Sequence, residues 1–388
     1  MNSRRSFFGS AFGLGAASAA ICRGAQPAPA ASPIPVVTPD VPDLPFTLDN
    51  GVKVFHLIAE PVKQLIIPGR TFDLWGFNGS APGPTIQVNE GDRVRILFDN
   101  HLPEPTGVHW HGLELPIEMD GVPGVGQQPV MPGERFTYEF TLHQNGTFFY
   151  HPHMAMQEMV GMLGGFIVHP KTPYTPRVDR DYLIALQEYA VLPNSTIPNS
   201  MQMEFNWLTF NGKAGPASTP LIIRQGERVR IRLVNLGMDH HPIHLHGFTF
   251  WETGREGARQ PEAIWPRGNT TLVGVAQARD IEFIADRIGD WMLHCHLPHH
   301  MMNQMASNIG PMTRLGAGHT ETQVPLYPQD AYMEGPMMAM DDQIHKPETY
   351  GLPEGWTGYM GGMMTLVRVL PPELYEKIQS LKARERAR

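Results

Sequence analysis

An internal repeat constrains the fold of this chain more than any other feature of its sequence. Residues 91–96, Gly-Asp-Arg-Val-Arg-Ile, recur as Gly-Glu-Arg-Val-Arg-Ile at residues 226–231, and each run is followed at the same distance by a His-x-His-Gly motif, which begins at His109 or His244. The repeated run and the His-x-His-Gly motif that follows it are therefore related by a single offset, without a gap. Further along, a second constant offset pairs Glu139, Phe140, Gly146, His151 and His153 with Glu282, Phe283, Gly289, His294 and His296. The repeat predicts two copies of one domain.

Local patterns indicate that each copy is a β-sandwich. Runs rich in Val, Ile and Phe, such as residues 85–88 and 93–98, are short and alternate with turn clusters, in a chain with 39 Gly and 37 Pro. This pattern is typical of antiparallel sandwiches. The 388 residues suffice for two domains of about 130 to 150 residues, each with its own core. We predict an all-β chain with a first domain at residues 45–172 and a second at residues 173–372.

His294, Cys295 and His296 form the strongest chemical signal in the sequence. Cys295 is the only cysteine beyond the first thirty residues, and it is followed by His300 and Met305. One thiolate, two imidazoles and a distant thioether are the ligands of a blue electron-transfer copper. In an extended strand, neighbouring side chains point to opposite faces, so the flanking histidines face away from Cys295. We therefore predict that Cys295 binds one metal and that its neighbours bind another.

Three further His-x-His pairs complete a second predicted metal centre. With the neighbours of Cys295 they supply eight imidazoles, which are His109, His111, His151, His153, His244, His246, His294 and His296. Imidazole suits copper, and eight nitrogens are enough for a cluster of three copper ions with positions left open for oxygen. A single His-x-His pair is weak support for a metal site, whereas four pairs beside a His-Cys-His motif indicate a metal cluster rather than ordinary core or surface histidines.

Only the second copy carries the ligands of a blue copper. At the offsets of the repeat, His241, Cys295, His300 and Met305 correspond to Thr106, Pro152, Gln157 and Met162. The first copy lacks the thiolate and is predicted to bind no blue copper. Since each copy supplies four of the eight cluster histidines, the cluster is predicted to bridge two domains.

These motifs resemble those of the multicopper oxidases, specifically the two-domain, laccase-like group with its blue copper in the second domain. The resemblance covers roughly residues 45–315 and the final strand, and the family spacing His-Cys-His-x-x-x-His-x-x-x-x-Met fits residues 294–305. It implies two cupredoxin-like Greek-key sandwiches and four copper ions. It further implies type 1 copper on His241, Cys295, His300 and Met305, type 2 copper on His109 and His244, and two type 3 copper ions, one on His111, His151 and His296 and the other on His153, His246 and His294. His240 and His299 adjoin ligands, but the spacing assigns neither of them to a metal.

The activity implied by the resemblance couples one-electron oxidation of a donor to the four-electron reduction of dioxygen to water. The donor is a phenolic compound or a metal ion such as Cu(I). Asp120 matches a carboxylate that lies near type 2 copper in the family and assists oxygen reduction, and an ordinary Asp-Gly turn is the alternative. Met301 stands where several family members carry an acidic residue, so that proton source is absent.

Assembly and two other function classes follow from the same ligand pattern. If the two halves of the cluster cannot meet within one chain, a head-to-tail contact between chains closes into a ring, and the two-domain family forms homotrimers.

A copper nitrite reductase is a less favoured alternative, because it carries its blue site in the first domain and needs no coupled copper pair. A non-catalytic protein for copper tolerance is a further alternative, which the complete type 1 ligand set disfavours.

The N-terminus has the pattern of an export signal. Arg4 and Arg5 precede the apolar residues 11–21 and a stretch rich in Pro and Ala, which predicts the twin-arginine route rather than a disordered tail. We predict a signal peptide at residues 1–30, a linker at residues 31–44 and a periplasmic or secreted protein. Elsewhere no segment predicts a membrane span. The net charge of -8 argues against a nucleic acid partner.

The second domain is predicted to contain an insertion before its closing strand. Residues 306–359 have no counterpart in the first copy, and eleven of the 22 methionines lie between Met301 and Met364. Thioethers are soft ligands suited to Cu(I), and Asp341 and Asp342 offer oxygen ligands, so the insertion either handles a metal ion or uses methionine as packing. Residues 373–388 are predicted to form a short charged helix, which we interpret as a solvated appendage.

Overall fold

Four β-sheets make up the fold in this computed structural model. The structure describes residues 33–154, 156–192, 195–199, 201, 203–301 and 340–386. The strands of the first half are β1 Phe46–Asp49, β2 Val52–Ile67, β3 Arg70–Phe77, β4 Gly83–Asn89, β5 Arg93–Asn100, β6 His109–His111, β7 Arg135–Thr141, β8 Gly146–His151 and β9 Gly164–His169.

The described residues of the second half add twelve strands and one α-helix. The strands are β10 Arg180–Tyr189, β11 Trp207–Phe210, β12 Leu221–Arg224, β13 Arg228–Asn235, β14 His241–Leu245, β15 Phe250–Arg255, β16 Ala258–Arg259, β17 Arg267–Gly268, β18 Thr270–Val273, β19 Gln277–Ile284, β20 Gly289–Cys295 and β21 Met364–Leu370. Helix α1 is Pro372–Arg386. Short 3-10 turns lie at Ile117–Met119, Glu158–Val160, Glu262–Ile264, Pro298–Met301, Asp341–Gln343, Pro347–Thr349 and Trp356–Tyr359.

Strand order repeats between the two halves. The neighbours β2, β5 and β7 correspond to β10, β13 and β19, and the order β4-β9-β8-β6 recurs as β12-β21-β20-β14. Directions repeat as well, because β2 is parallel to β5 as β10 is to β13, while β5 is antiparallel to β7 as β13 is to β19. The predicted all-β class is confirmed, and each half is a cupredoxin-like sandwich of two sheets. The domain limits at residues 45, 172 and 372 stay predictions.

The repeated Arg-Val-Arg-Ile run lies in two different environments. On β5, Arg95 occupies the outer face of the first sandwich and pairs there with Glu139. On β13, Arg230 and Arg232 are only 4% and 2% exposed. They are covered by the first sandwich, since Nη1 of Arg232 donates to Oγ1 of Thr147 at 2.6 Å. The outer face of the second sandwich is therefore an internal junction.

An apolar cluster fills the rest of this junction. Its buried residues are Val36, Phe149, Leu163, Ile167, Leu183, Ala185, Val234, Leu236 and Ala278. Beside it, the carboxylate of Asp181 accepts two hydrogen bonds from Arg232, each 2.8 Å long. Apolar burial with a paired internal charge holds the two sandwiches in one arrangement, because separating them would expose both.

Helix α1 forms as predicted, but the interpretation of a solvated appendage is wrong. Tyr375 and Ile378 are buried against Ile222 and Leu370 of the second sandwich. These two side chains lie on one face of the helix, so a short apolar stripe docks a helix whose composition is mostly charged. No helix in the described part of the chain has both the length and the apolar content needed to cross a membrane.

Candidate metal centres

A buried group of three ligand atoms lies in the second sandwich. His241 begins β14, Cys295 ends β20, and His300 lies in the 3-10 turn Pro298–Met301. The Sγ atom of Cys295 is 3.8 Å from Nδ1 of His241 and 3.4 Å from Nδ1 of His300, and the two Nδ1 atoms are 3.2 Å apart. All three residues have 0% exposure. The structure thus brings together three of the four predicted type 1 ligands, while Met305 lies outside the described residues.

Backbone pairing fixes the positions of these ligands. Ile243 of β14 is paired with Cys295 of β20, which sets His241 beside the thiol. The backbone N–H of Cys295 donates to the carbonyl of Met363 at 3.0 Å, and the N–H of Met363 donates to the carbonyl of His300 at 2.9 Å. The approach to the closing strand therefore ties the turn that carries His300 to the strand that carries Cys295.

The donor set of this group fits a copper ion. Burial raises the pKa of the Cys295 thiol to about 12 and lowers the pKa of the His300 imidazole to about 3. Without a cation, these groups are therefore neutral, and two imidazole nitrogens only 3.2 Å apart can share at most one proton. A cation that accepts thiolate and imidazole ligands at once satisfies all three atoms, and copper has this preference.

Polar groups lie behind both imidazoles. Nε2 of His241 is 3.1 Å from the carboxylate of Glu188, whose side chain has 0% exposure. Nε2 of His300 is buried and has no hydrogen-bond partner among the described residues, although an oxygen of Asp239 lies 3.5 Å away. Each histidine therefore turns Nδ1 towards Cys295 and Nε2 towards an acidic side chain.

A second group of ligand atoms lies between β6 and β8 of the first sandwich. Nitrogen atoms of His109, His111 and His151 all lie within 4.8 Å of one another, and Nδ1 of His111 is 3.2 Å from Nε2 of His151. The ring of His153 is 5.7 Å from that of His109, between centroids. Burial and neighbouring imidazoles lower the pKa of His111 to about 4, which keeps it neutral and able to bind a metal at neutral pH.

The equivalent group in the second sandwich has the same composition. Nitrogen atoms of His244, His246 and His294 lie within 4.8 Å of one another, and the Nε2 atoms of His246 and His294 are 3.0 Å apart. His296 joins them with a centroid distance of 5.4 Å to His244. Burial lowers the pKa of both His246 and His294. The eight predicted cluster histidines thus form two sets of four.

Backbone carbonyls orient four of these imidazoles. The Nδ1 atoms of His109, His151, His244 and His294 lie 2.8 Å from the carbonyl oxygens of Asp120, Pro152, Asn269 and Cys295, respectively. An Nδ1–H that donates to a carbonyl leaves Nε2 free for a metal, so these bonds select the tautomer that binds. This hydrogen bond does not depend on the side chain of the residue that supplies the carbonyl, because the carbonyls of Pro152 and Cys295 both accept it.

Two carboxylates reinforce the orientation in the first sandwich. An oxygen of Asp120 lies 3.4 Å from Nδ1 of His109, and an oxygen of Glu158 lies 2.8 Å from Nδ1 of His151. Gly121 allows the first of these approaches, since it has φ of 83° and a Cβ there would lie 1.8 Å from the carbonyl oxygen of Val108. The predicted Asp120 thus lies beside a cluster histidine, in a loop held close to β6.

The two sets of four do not meet within one chain. All eight histidines are described, and every three-ligand group that they form takes its members from one sandwich alone. Their close ring contacts likewise join residues of the same set. His153 and His296 are exposed, whereas His151 and His294 are buried. Each sandwich therefore presents half of the predicted ligand set, and His153 and His296 are among the solvent-exposed members.

The remaining predictions near these centres have mixed outcomes. His240 and His299 are both exposed and lie outside the group around Cys295, but His299 forms a further group of potential ligand atoms with Asp239 and His300, so the prediction that it binds no metal stays a prediction. The carboxylate of Asp341 accepts a hydrogen bond from the backbone of Gly355 at 2.6 Å and others from Thr357, so it orders a loop. Met333, Met337 and Met338, with most of the insertion, lie outside the described residues.

Sequence reasoning missed Glu188, Glu158 and Asp239. Glu188 follows Gln187 after the apolar residues 182–186 of β10, so a polar pair in a buried strand was the available signal. Glu158 corresponds to Met301 at the offset that relates His151 to His294, so the repeat itself offered a signal for it. Asp239 lies in the loop before His241 and had no signal beyond its nearness in sequence.

Comparisons with known proteins agree with these centres. Two family models, both described as multicopper oxidase, match residues 62–173 and 191–310. The solved structure of the multicopper oxidase mgLAC is 31% identical, with a TM-score of 0.60, and the match covers 65% of this chain and 81% of that one. This chain belongs to the multicopper oxidase family. Membership of the family implies that the chain binds copper.

Two further relatives differ in how much of their length is matched. A blue copper oxidase from Nitrosomonas europaea is 26% identical with a TM-score of 0.62, over 85% of this chain and 94% of that one. Copper resistance protein A of Pseudomonas syringae pv. tomato is 33% identical over 145 residues, which are 37% of this chain and 24% of the relative. The matched segment thus spans about a quarter of the length of that relative.

Proposed function

We propose that this multicopper oxidase couples one-electron oxidation of a donor to the reduction of dioxygen to water. The observation that carries the proposal is the position of Cys295. Its Sγ lies between two buried imidazoles, while His294 and His296, its neighbours in sequence, belong to the histidine cluster. A storage protein has no need of such a covalent connection between two metal centres.

Copper bound at these residues would supply one-electron oxidation at the Cys295 site and four-electron reduction of dioxygen at the histidine cluster. In this assignment His241, Cys295, His300 and Met305 hold type 1 copper. His109 and His244 hold type 2 copper, and the type 3 pair uses His111, His151 and His296 for one ion and His153, His246 and His294 for the other. The offsets of the repeat relate each residue of one type 3 ligand set to a residue of the other type 3 set.

Protons for water formation come from the chain and the solvent. Asp120 is the proposed donor, because its carboxylate lies beside His109 and its side chain is 29% exposed. A partly exposed carboxylate can take a proton from solvent and release it next to the cluster. Glu158 holds Nδ1 of His151 from the opposite side of the same set.

Assembly as a homotrimer is part of the proposal. His153 and His296 are both exposed, and each completes a ligand set contributed mainly by the other type of sandwich. A head-to-tail contact between the first sandwich of one chain and the second sandwich of the next would bring the sets together. Three such contacts close a ring with three clusters.

The twin-arginine signal at residues 1–30 supports export to the periplasm or beyond. These residues lie outside the described part of the chain. A role in copper tolerance is a second candidate, favoured by the similarity to copper resistance protein A and by the eleven methionines from Met301 to Met364. Oxidation of Cu(I) would serve both roles.

Oxygen uptake by the copper-loaded protein tests the function. We expect oxygen consumption with a phenolic donor, with chelator-buffered Cu(I) or with both, and no accumulation of hydrogen peroxide. The C295S variant should bind copper in the cluster and consume no oxygen. Copper-loaded wild-type protein that oxidises neither donor would overturn the proposal.

Deletion of residues 333–340 separates the two donor classes. Cu(I) oxidation that falls on deletion, with phenol oxidation unchanged, would identify a metallo-oxidase whose thioethers bind the ion. Phenol oxidation that is unchanged or rises, with Cu(I) oxidation unaffected, would identify a laccase in which these methionines are packing.

A further inference from the structure

Glu188 is a buried carboxylate that sequence analysis did not assign. It lies on β10 and its side chain has 0% exposure. Its oxygen atoms accept hydrogen bonds from the backbone N–H groups of Met238 and Asp239, the latter at 2.8 Å, and lie 3.1 Å from Nε2 of His241. A carboxylate removed from water is costly unless such donors surround it, so this arrangement requires a specific reason.

The chain makes room for this carboxylate at Gly237. A Cβ at this position would lie 2.0 Å from one carboxylate oxygen of Glu188 and 2.4 Å from its carboxyl carbon. The loop itself is fixed independently, since Nδ2 of Asn235 donates to the carbonyls of Asp239 at 2.8 Å and Val273 at 3.0 Å. The glycine therefore provides space for the carboxylate.

The first sandwich has the same loop without the carboxylate. There Nδ2 of Asn100 donates to the carbonyls of Glu104 and Val130, each at 2.8 Å, which are the equivalents of Asp239 and Val273 at the repeat offsets. Leu102 replaces Gly237, and Thr106 replaces His241.

Strand pairing identifies the equivalent of Glu188. Leu186 of β10 pairs with Asn235, and Ala59 of β2 pairs with Asn100, so Glu188 corresponds to Pro61. The acid, the glycine and the histidine are present together in the second sandwich and absent together from the first. If the shared fold alone required this acid, the first sandwich would also carry one at Pro61. The acid is instead present only in the sandwich that has the histidine.

We propose that Glu188 positions His241 for the type 1 copper and lowers the reduction potential of that site. By holding Nε2–H of His241, the carboxylate leaves Nδ1 as the atom that faces Sγ of Cys295 at 3.8 Å. A buried negative charge behind a ligand also stabilises the more highly charged, oxidised state of the metal. This inference rests on the proposed function, because it takes His241 and Cys295 as copper ligands.

Three variants of the full chain test the role of Glu188. E188Q keeps the volume and removes the charge, E188A removes the hydrogen bond as well, and G237A leaves the acid in the sequence but forces its carboxylate away from His241. E348Q is the matched control, because Glu348 is also a buried acid, 8% exposed, and pairs instead with Lys382 of α1. Redox titration, blue absorption and copper competition against a chelator are measured on each, with thermal unfolding of the copper-free protein.

We expect a higher reduction potential in E188Q and G237A, and a copper affinity of the blue site that falls roughly 10- to 100-fold in E188A. E348Q should keep the wild-type potential. If the potential, absorption and copper affinity of all three test variants equal those of the wild type, Glu188 has only a structural role and the inference is wrong. Wild-type protein that binds copper without blue absorption would instead overturn the type 1 assignment itself, and this inference with it.

Discussion

One buried position differs completely between the two sandwiches, although their backbones agree around it. In the second, two imidazole nitrogens and the sulfur of Cys295 converge within 3.8 Å. In the first, Oγ1 of Thr106 donates to Oε1 of Gln157 at 2.7 Å, and Nε2 of Gln157 donates to the carbonyl of Pro105 at 3.0 Å. The first position satisfies its polar atoms without a metal, whereas the second cannot.

The shared backbone shows what the metal site adds to the fold. His151 and His294 donate to the carbonyls of Pro152 and Cys295 with the same distance of 2.8 Å, so the strand end is the same with or without a thiol. The candidate site around Cys295 therefore differs from its counterpart in the first sandwich by its side chains rather than by its backbone. The functional difference depends on few residues and can be tested one at a time.

Replacement of Cys295 should have the largest effect. C295S removes the thiolate, so we expect complete loss of blue absorption and of donor oxidation, while copper remains on the cluster histidines. P152A is the matched control in the first sandwich and should retain both properties, since alanine keeps the carbonyl that orients His151. Absorption spectra and copper analysis of both variants give the result, and blue colour in C295S would contradict the assignment.

Mixing two inactive variants should restore part of the activity. H151Q disables the histidine set of the first sandwich and H294Q that of the second, so each homotrimer should be inactive. In a ring assembled at random from equal amounts, about a quarter of the contacts join two intact sets, and we expect about a quarter of wild-type oxygen uptake. A mixture that stays inactive after co-refolding would argue for a cluster formed within one chain.

Most of the residues that the structure brings together in the candidate metal centres could be predicted because their spacing follows strand geometry. Alternating side chains on β20 separate Cys295 from His294 and His296, and the repeat identifies the equivalent positions on β6, β8 and β14. The all-β class follows from the same periodicity. These features are local or repeated, and a single sequence displays them directly.

Features that depend on contacts distant in sequence could not be predicted. Glu188 reaches His241 from β10, 53 residues earlier, and the polar pair on β10 does not indicate in the sequence which residue it contacts. The docking of α1 depends on Tyr375 and Ile378 meeting a complementary surface of β12 and β21. Such properties arise from tertiary packing rather than from local propensity.

The last residues of the closing strands β9 and β21 should differ in how their contribution to folding stability depends on pH. β9 ends in His169, which pairs with Asn89, whereas β21 ends in Leu370, which pairs with the equivalent residue Arg224. Burial first, and then the charge of Arg232, lower the pKa of His169 from 6.5 to about 4. A base with a lowered pKa in the folded state stabilises the fold fully above pH 6.5 and loses that contribution as the pH falls towards 4.

We therefore expect copper-free protein to lose about 2 kcal/mol of unfolding free energy from this residue between pH 7 and pH 5. The H169L variant should lose correspondingly less over the same interval. Urea unfolding of both proteins at the two pH values measures the difference. Equal pH dependence in the two proteins would show that His169 does not contribute.

The smallest expected effect concerns Thr106 and Gln157, which occupy the positions of His241 and His300 in the first sandwich. T106V leaves Oε1 of the buried Gln157 without its donor, and an unsatisfied buried acceptor costs about 1 kcal/mol or somewhat more. The double variant T106V/Q157M removes both partners of this hydrogen bond and should be more stable than T106V, although the carbonyl of Pro105 then loses its donor from Gln157. Urea unfolding of copper-free protein measures both changes. If the double variant is less stable than the single one, the pair is more than a replacement for a metal, and the first sandwich requires polar groups at this position for its own fold.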